Sequence, residues 1–133
     1  MMGMAEVTPL ILIIDDDPAF REIFSIKLSA SGFRMETADS GEDGIKKAKS
    51  LKPDLILLDV KMPGLTGPDT LIKLKEDPET ANIRVVFLTS LGDPWTEAQA
   101  INKRLSKEFG ALGYIKKTED LDTLVEKVRA FLA

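Results

Sequence analysis

The sequence contains no cysteine and no histidine, and these two absences remove several classes of chemistry. Without cysteine the chain cannot form a disulfide, use a thiol nucleophile or hold a cysteine-ligated zinc ion. Without histidine it lacks the commonest general base and a frequent metal ligand. Ser-His-Asp, Cys-His and zinc-hydrolase mechanisms are therefore excluded. The remaining reactive groups are carboxylates, hydroxyls and amines, which suit hard cations and phosphoryl groups.

The chain also lacks long apolar runs and a strong excess of one charge. Its 18 Lys and Arg residues against 22 Asp and Glu residues give a net charge of -4, which does not favour direct binding of nucleic acid. The longest apolar run near the start, residues 10–14, is far too short to span a bilayer. With 133 residues, 44% of them hydrophobic, we expect one compact cytoplasmic domain with no membrane partner.

Short apolar runs alternate with segments of helical periodicity, a pattern typical of an α/β protein whose parallel sheet is covered on both faces. The pattern predicts a doubly wound (βα)5 fold with five parallel strands in the flavodoxin-like order 2-1-3-4-5. The first, third and fourth runs are almost continuously apolar, so we expect them to form central, buried strands. The predicted strands are residues 10–14, 34–38, 54–58, 84–88 and 113–116.

Helix boundary signals separate these strands. Pro18 opens the first helix and Gly32 ends it. Ser40 and Asp43 resemble a capping box at the start of the second helix, and Pro68 starts a short third helix. The predicted helices cover about residues 18–31, 41–51, 68–77, 93–109 and 121–132.

Four aspartates lie at the ends of two predicted strands. Asp15, Asp16 and Asp17 follow the first strand, and Asp59 follows the third. Ligands bind beyond the carboxyl ends of strands at the point where the strand order switches, and these two strands are neighbours there. Carboxylates that converge repel one another unless a cation neutralises them, and a cluster with only oxygen ligands suits Mg²⁺. We expect one of the three consecutive aspartates to cap the first helix instead.

Three strand-end residues, Asp59 among them, suit phosphoryl chemistry. Asp59, beside a divalent cation, can act as a nucleophile and form an aspartyl phosphate, although a solvated strand-end aspartate is the simpler interpretation. Thr89 after the fourth strand and Lys117 after the fifth supply a hydroxyl and an ammonium for phosphoryl oxygens. Each of these residues alone is more often structural. Together they place a complementary set of groups at one edge of the sheet.

Four sequence strings carry a resemblance to a known family. Because of these strings and their order and spacing, the chain resembles the receiver domain of bacterial response regulators, and in particular the chemotaxis-regulator-like receivers of two-component systems. The resemblance covers residues 9–132, and we expect residues 1–8 to form a flexible N-terminal tail. The strings are ILIIDDDP at 11–18, DLILLDVKMPG at 54–64, VVFLTS at 85–90 and GYIKK at 113–117.

The resemblance implies a metal site and a phosphoacceptor. Asp15 and Asp16 match the acidic pair that supports Mg²⁺, with Mn²⁺ as an alternative ion. Asp59 matches the aspartate that accepts the phosphoryl group and also binds the metal. Lys61 matches the position whose backbone carbonyl completes the metal site.

The resemblance also implies a switch and partners. Thr89 matches the switch hydroxyl, Lys117 the lysine that contacts the phosphoryl group, and Tyr114 the aromatic switch position. The donor is then a phosphohistidine on a sensor histidine kinase or histidine phosphotransfer protein. The phosphorylated domain would change the surface formed by the fourth helix, fifth strand and fifth helix and so act on an unidentified output domain or protein. Such a domain is regulatory, not an enzyme in the usual sense, and catalyses only its own phosphorylation and dephosphorylation.

The chain departs from the family pattern after the fourth strand. Thr118 follows Lys117, where the family usually has proline, so we expect either that the loop holds the lysine differently or that Thr118 caps the last helix. Thr89 and Lys117 are 28 positions apart, so the region of the fourth helix is unusually long. Trp95, the only tryptophan, lies near the start of this region and is expected either to pack in the fold or to form a partner surface.

Two other functions are compatible with the sequence. A magnesium-dependent phosphatase that resembles the haloacid dehalogenase superfamily would use Asp15 and Asp17 as its Asp-x-Asp pair, but the residue two positions later is Ala19 and no cap domain fits. A pseudo-receiver would share the fold, bind proteins and never be phosphorylated. Because every matched residue is present, the receiver interpretation is favoured.

Overall fold

The computed structural model describes residues 8–90 and 110–133 of the chain. None of the helices in these ranges has the length and apolar character needed to cross a membrane. Residues 1–7 and the predicted fourth helix, with Trp95, lie outside the described residues. The described elements are β1 (Leu10–Ile14), α1 (Pro18–Ala30), β2 (Arg34–Ala38), α2 (Gly41–Leu51), β3 (Leu55–Asp59), α3 (Gly67–Glu76), β4 (Arg84–Thr89), β5 (Gly113–Lys116) and α4 (Leu121–Leu132).

The five strands form one parallel sheet in the order β2-β1-β3-β4-β5, which confirms the predicted topology. Ile14 at the end of β1 pairs with Leu58 in β3, and Asp59 pairs with Leu88 in β4. Because the strands are parallel, all five carboxyl ends lie at the same edge of the sheet. The strand order reverses between β1 and β3. A crevice therefore opens between the carboxyl ends of these two strands, and ligands bind at this position in such folds.

The central strands are buried on both faces, as their continuous apolar sequences predict. Every residue of β1 and β3 is buried, and in β4 only Arg84 is exposed. Alternate residues of these strands pack into two hydrophobic cores, one on each face of the sheet. The first core includes Phe24 and Leu28 of α1 with apolar residues of α4, and the second includes apolar residues of α2 and α3.

The N-terminal caps follow the predicted signals for two helices. The Oδ1 atom of Asp17 accepts hydrogen bonds from the backbone N–H groups of Ala19 and Phe20, so Asp17 is the aspartate that caps α1. The hydroxyl of Ser40 accepts a hydrogen bond from the N–H of Asp43 at the start of α2. These caps set the point at which each strand-end loop becomes helix.

Several boundaries differ from the prediction, and β4 extends to Thr89, one residue beyond its predicted end. The third strand begins at Leu55 and includes Asp59, so the aspartate is the last strand residue. The third helix begins at Gly67, one residue before Pro68, and Thr66 caps it. At the last helix, the Asp120 side chain accepts a hydrogen bond from the N–H of Thr123. Asp120 is therefore the cap of this helix, and Thr118 is not.

Candidate functional site

Three carboxylates meet at the carboxyl edge of β1 and β3. Asp15 directly follows β1, Asp16 comes next, and Asp59 ends β3. One oxygen atom from each of the three side chains lies within 4.8 Å of the other two. Asp15 and Asp59 are 0% and 3% exposed, whereas Asp16 is exposed. A cluster of hard oxygen donors with one exposed member is suited to a divalent cation.

The backbone and neighbouring side chains hold Asp15 in place. The Oδ1 atom of Asp15 accepts a hydrogen bond from the N–H of Asp17 at 2.9 Å. The backbone N–H of Asp15 donates to the carbonyl of Ala38 at 3.1 Å. A guanidinium N–H of Arg21 donates to the carbonyl oxygen of Asp15 at 2.7 Å. Asp17 is exposed and its side chain caps α1, so only two of the three consecutive aspartates join the acidic cluster.

The ammonium of Lys117 lies between the two buried carboxylates. Its Nζ is 2.6 Å from Oδ2 of Asp15 and 3.2 Å from Oδ1 of Asp59, and 14% of its side chain is exposed. The N–H of Lys117 donates to the carbonyl of Thr89 at 2.7 Å, which anchors its backbone to the end of β4. Burial lowers the pKa of Lys117, but the hydrogen bond to Asp15 and the charges of both carboxylates outweigh burial and raise the pKa above its ordinary value.

Asp59 is held in an unfavourable position for a charged group. Burial, followed by the charge of Asp15, raises the pKa of Asp59 to about 7, and the attraction of Lys117 only partly opposes this rise. The exposed charge of Asp16 adds to the repulsion. One ammonium therefore does not offset three carboxylates, and additional positive charge at this point would favour the ionised form of Asp59.

Thr89 brings a buried hydroxyl to the same edge. It is the last residue of β4, it is 1% exposed, and its Oγ1 has no hydrogen-bond partner among the residues that the structure describes. The preceding residue, Leu88, pairs with Asp59 across the sheet. Since a buried hydroxyl without a partner is unfavourable, Thr89 is suited to donate to a ligand oxygen at this site.

Lys61 and Tyr114 lie at the margins of the site. Lys61 is exposed, two residues beyond Asp59 in the loop before α3. Tyr114 lies on β5, pairs with Phe87 of β4 and is half-buried against the second hydrophobic core. The metal-binding carbonyl of Lys61 and the switch role of Tyr114 stay predictions.

Sequence reasoning missed two residues that shape the site. The ring of Phe20 in α1 lies below the Lys117 ammonium, with Nζ 4.7 Å from the ring centroid. Gly67 begins α3 so close to the end of β3 that an added Cβ would lie 2.3 Å from the carbonyl oxygen of Asp59 and 2.8 Å from Cα of Val60. The glycine in the Gly-Pro pair at 67–68 was a signal for this close approach, whereas nothing in the sequence near Phe20 indicated its contact with Lys117.

Curated relatives share most of the chain. The family model of the response regulator receiver domain matches residues 11–129. Protein PilH of Pseudomonas aeruginosa is 36% identical over 123 residues, which are 92% of this chain and 97% of PilH. Sporulation initiation phosphotransferase F of Bacillus subtilis is 34% identical over 122 residues, 92% of each chain. The DNA-binding dual master transcriptional regulator RpaA of Synechocystis is 38% identical over 124 residues, and the chain spans 49% of its length.

Solved structures share the fold. The chemotaxis protein CheY4 of Vibrio cholerae superimposes with a TM-score of 0.83 at 26% identity, covering 94% of this chain and 99% of that chain. A putative response regulator from Chloroflexus aurantiacus superimposes with a TM-score of 0.81 at 29% identity, covering 94% and 98%. Together with the family match across residues 11–129, these similarities show that the chain belongs to the response regulator receiver domain family.

Proposed function

We propose that the chain is a phosphoacceptor module of a two-component or phosphorelay system, in which Asp59 accepts a phosphoryl group from a phosphohistidine. The observation that carries this proposal is the Lys117 ammonium between Asp15 and Asp59, at the cleft where the oxygens of Asp15, Asp16 and Asp59 converge. The sequence contains no histidine, so the donor lies outside it, on a sensor histidine kinase or a histidine phosphotransfer protein.

The residues at the cleft fit Mg²⁺. The side chains of Asp15, Asp16 and Asp59 would hold the ion, and the resemblance adds the backbone carbonyl of Lys61. These donors are all oxygens, and their charge exceeds that of the neighbouring ammonium, which is the environment that a hard divalent cation prefers. Mn²⁺ is an alternative because it binds the same donor set. When bound, the cation would supply positive charge to the phosphoryl oxygens.

The transfer step uses Asp59 as the nucleophile. One carboxylate oxygen of Asp59 attacks the phosphorus in line, the P–N bond of the donor breaks, and the electron pair leaves on the imidazole nitrogen, which takes up a proton from solvent. Lys117, kept protonated by its two carboxylate neighbours, offsets the incoming negative charge. The product is an aspartyl phosphate, and attack of water on its phosphorus returns the free carboxylate and inorganic phosphate.

Phosphorylation would then act on the end of β4. The phosphoryl group adds a charge of about -1.5 to -2 and three acceptor oxygens. The hydroxyl of Thr89, which has no partner within residues 8–90 and 110–133, supplies a donor for one of these oxygens. The movement of Thr89 would let Tyr114 repack beside β4. This repacking would change the surface formed by β5, by the last helix α4 and by the helix predicted over residues 93–109. An output domain or protein, not identified by the sequence, would read this surface.

Binding of beryllofluoride, a phosphoryl mimic, tests the proposal. We expect wild-type protein with Mg²⁺ to bind it and to show spectral changes at the ends of β4 and β5 by NMR. The Asp59→Asn variant and wild-type protein in EDTA should show none. A folded wild-type protein that does not respond with Mg²⁺ would instead support a pseudo-receiver.

Turnover of p-nitrophenyl phosphate separates the proposal from a phosphatase. We expect any turnover to be slow and to require Asp59, because each cycle passes through its acyl phosphate. Sustained catalysis that is lost in Asp15→Asn and kept in Asp59→Asn would contradict the receiver function. The exposed Asp17, whose side chain caps α1, does not favour the phosphatase arrangement.

A further inference from the structure

The first turn of α1 places an aromatic face against the Lys117 ammonium. The Nζ of Lys117 is 4.7 Å from the centroid of the Phe20 ring, well within the distance at which a cation is attracted to the negative face of an aromatic ring. The same ring packs against Phe24, with centroids 5.3 Å apart and planes inclined at 59°. Phe20 therefore connects the hydrophobic core under α1 with the charged cleft.

The lysine needs such a contact because its side chain is long. The backbone of Lys117 is anchored to β4 through its N–H to the carbonyl of Thr89, and four methylene groups separate this anchor from the ammonium. Ordering so flexible a side chain costs conformational entropy. Asp15 and Asp59 attract the ammonium, and on the side of α1 its neighbour is the Phe20 ring.

An aromatic ring suits this position better than another acid. A further carboxylate would add to the repulsion that already raises the pKa of Asp59, whereas the ring attracts the cation through its quadrupole and carries no net charge. The ring also covers one side of the ammonium, and 14% of the Lys117 side chain remains exposed. Water is thus displaced from one side of the ammonium without a new ionisable group.

We propose that Phe20 is a positioning residue that holds the Lys117 ammonium between Asp15 and Asp59 through a cation–π contact. The contact keeps the ammonium where it meets the oxygens of the incoming phosphoryl group, a purpose that rests on the proposed function. Phe20 itself does not touch the reacting atoms. Its contribution is to reduce the number of positions that Lys117 occupies before phosphoryl transfer.

The rate of phosphorylation by acetyl phosphate in Mg²⁺ tests the effect on transfer. We expect Phe20→Leu, which keeps an apolar side chain but removes the ring, to slow the reaction by about 3- to 10-fold. Phe20→Tyr, which keeps the aromatic face, should restore the rate to within about twofold of wild type. Phe33→Leu is the matched control: it removes a ring that faces another cation, the Arg129 guanidinium at 5.0 Å, at the opposite edge of the sheet, and should leave the rate unchanged.

A double-mutant cycle tests the contact independently of phosphorylation. The unfolding equilibria of metal-free wild type, Phe20→Leu, Lys117→Met and the double variant give the coupling between the two side chains. We expect a coupling of about 3- to 10-fold in the unfolding equilibrium constant, and no measurable coupling when Phe33→Leu replaces Phe20→Leu.

Two results would overturn the inference. One is a coupling between Phe20 and Lys117 that does not exceed the coupling measured with the Phe33→Leu control. The other is a Phe20→Tyr variant that is folded and as slow as Phe20→Leu. A wild-type protein that shows the coupling but takes no phosphoryl group would contradict the proposed function and leave the contact established.

Discussion

At the scale of single residues, the site depends on an imbalance of charge. Two buried carboxylates share one ammonium, and the shorter of the two ion pairs is with Asp15, at 2.6 Å against 3.2 Å for Asp59. Asp59 is therefore the less well compensated carboxylate, which agrees with its raised pKa of about 7. The residue proposed to react is the one that gains most from additional positive charge.

This imbalance predicts that Asp59→Asn stabilises the metal-free protein. Because the folded-state pKa of Asp59 is raised above its unfolded value, ionisation progressively disfavours the folded state as the pH rises from about 4 to about 7. The amide removes this cost while Lys117 keeps its ion pair with Asp15. Above about pH 7 we expect a gain of about 1 kcal/mol or more, a rise in Tm of about 3 to 6 °C.

Thermal unfolding of both proteins in EDTA, followed across this pH range, measures the effect. The two melting temperatures should converge at about pH 4, where both side chains are neutral in the folded state. Saturating Mg²⁺ should reduce or reverse the difference, because it adds the missing positive charge to wild-type protein. A constant difference across the pH range would contradict the electrostatic explanation.

The sequence supports the prediction of those site residues that follow strands. Asp15, Asp59, Thr89 and Lys117 all lie at the carboxyl ends of apolar runs, and parallel topology is sufficient to bring such positions together. Their catalytic, metal-binding and switch roles stay predictions. The contact of Phe20 with Lys117 and the hydrogen bond from Arg21 to the carbonyl of Asp15 could not be found in this way. Both depend on the rotation and height of α1 over the sheet, which result from tertiary packing.

At the scale of elements, the approach of α3 to β3 determines the backbone around Asp59. The N–H of Gly67 donates to the carbonyl of Val60 at 3.0 Å, so the first turn of the helix lies directly against the end of the strand. Any side chain at position 67 would meet backbone atoms of Asp59 and Val60. Backbone atoms cannot move away as the end of a flexible side chain can.

We therefore expect Gly67→Ala to displace α3 from β3, to cost about 1 to 3 kcal/mol of stability and to slow phosphorylation of Asp59. Thr66→Ala is the control, because it removes the cap of the same helix, at about 1 kcal/mol, without inserting an atom beside Asp59. Urea unfolding and the rate with acetyl phosphate are the two measurements. Equal rates for the two variants would contradict a specific role for the close approach.

A second element contact connects α2 with the loop after α3. Lys49 lies 2.8 Å from Asp77, and this hydrogen bond, followed by that from the N–H of Glu79, lowers the pKa of Asp77. A lowered folded-state pKa stabilises the fold above the ordinary aspartate pKa, and the stabilisation is lost as the pH falls through the folded value.

The difference in Tm between wild type and Asp77→Asn should therefore favour wild type at about pH 7 and vanish in acid below about pH 3. High salt should weaken it as well, because the pair is at the surface. Lys49→Met is the matched variant, since it removes the partner and leaves the carboxylate. If the Tm of Asp77→Asn stays below that of wild type in acid, the Asp77 side chain stabilises the fold by something other than its charge.

At the scale of the whole molecule, hydrophobic periodicity was sufficient to predict the fold. Continuous apolar runs such as 10–14 and 55–58 can be buried on both faces only in the middle of a sheet, and helical segments between them require parallel crossovers. Boundaries were less predictable at the last helix, where Asp120 is the cap and not Thr118. The local choice there depends on the path of the loop after β5, which the sequence pattern does not specify.

The central claim is that Asp59 accepts the phosphoryl group, and mass spectrometry of the intact protein tests it most directly. Wild type, Asp59→Asn and Asp15→Asn are incubated with acetyl phosphate and Mg²⁺, and the reactive acyl phosphate is then localised by peptide mapping. The account predicts that wild type gains the mass of a single phosphoryl group, that it is located on Asp59, and that EDTA and Asp59→Asn abolish it. A phosphoryl group located on Asp15, or full labelling of Asp59→Asn, would contradict the account.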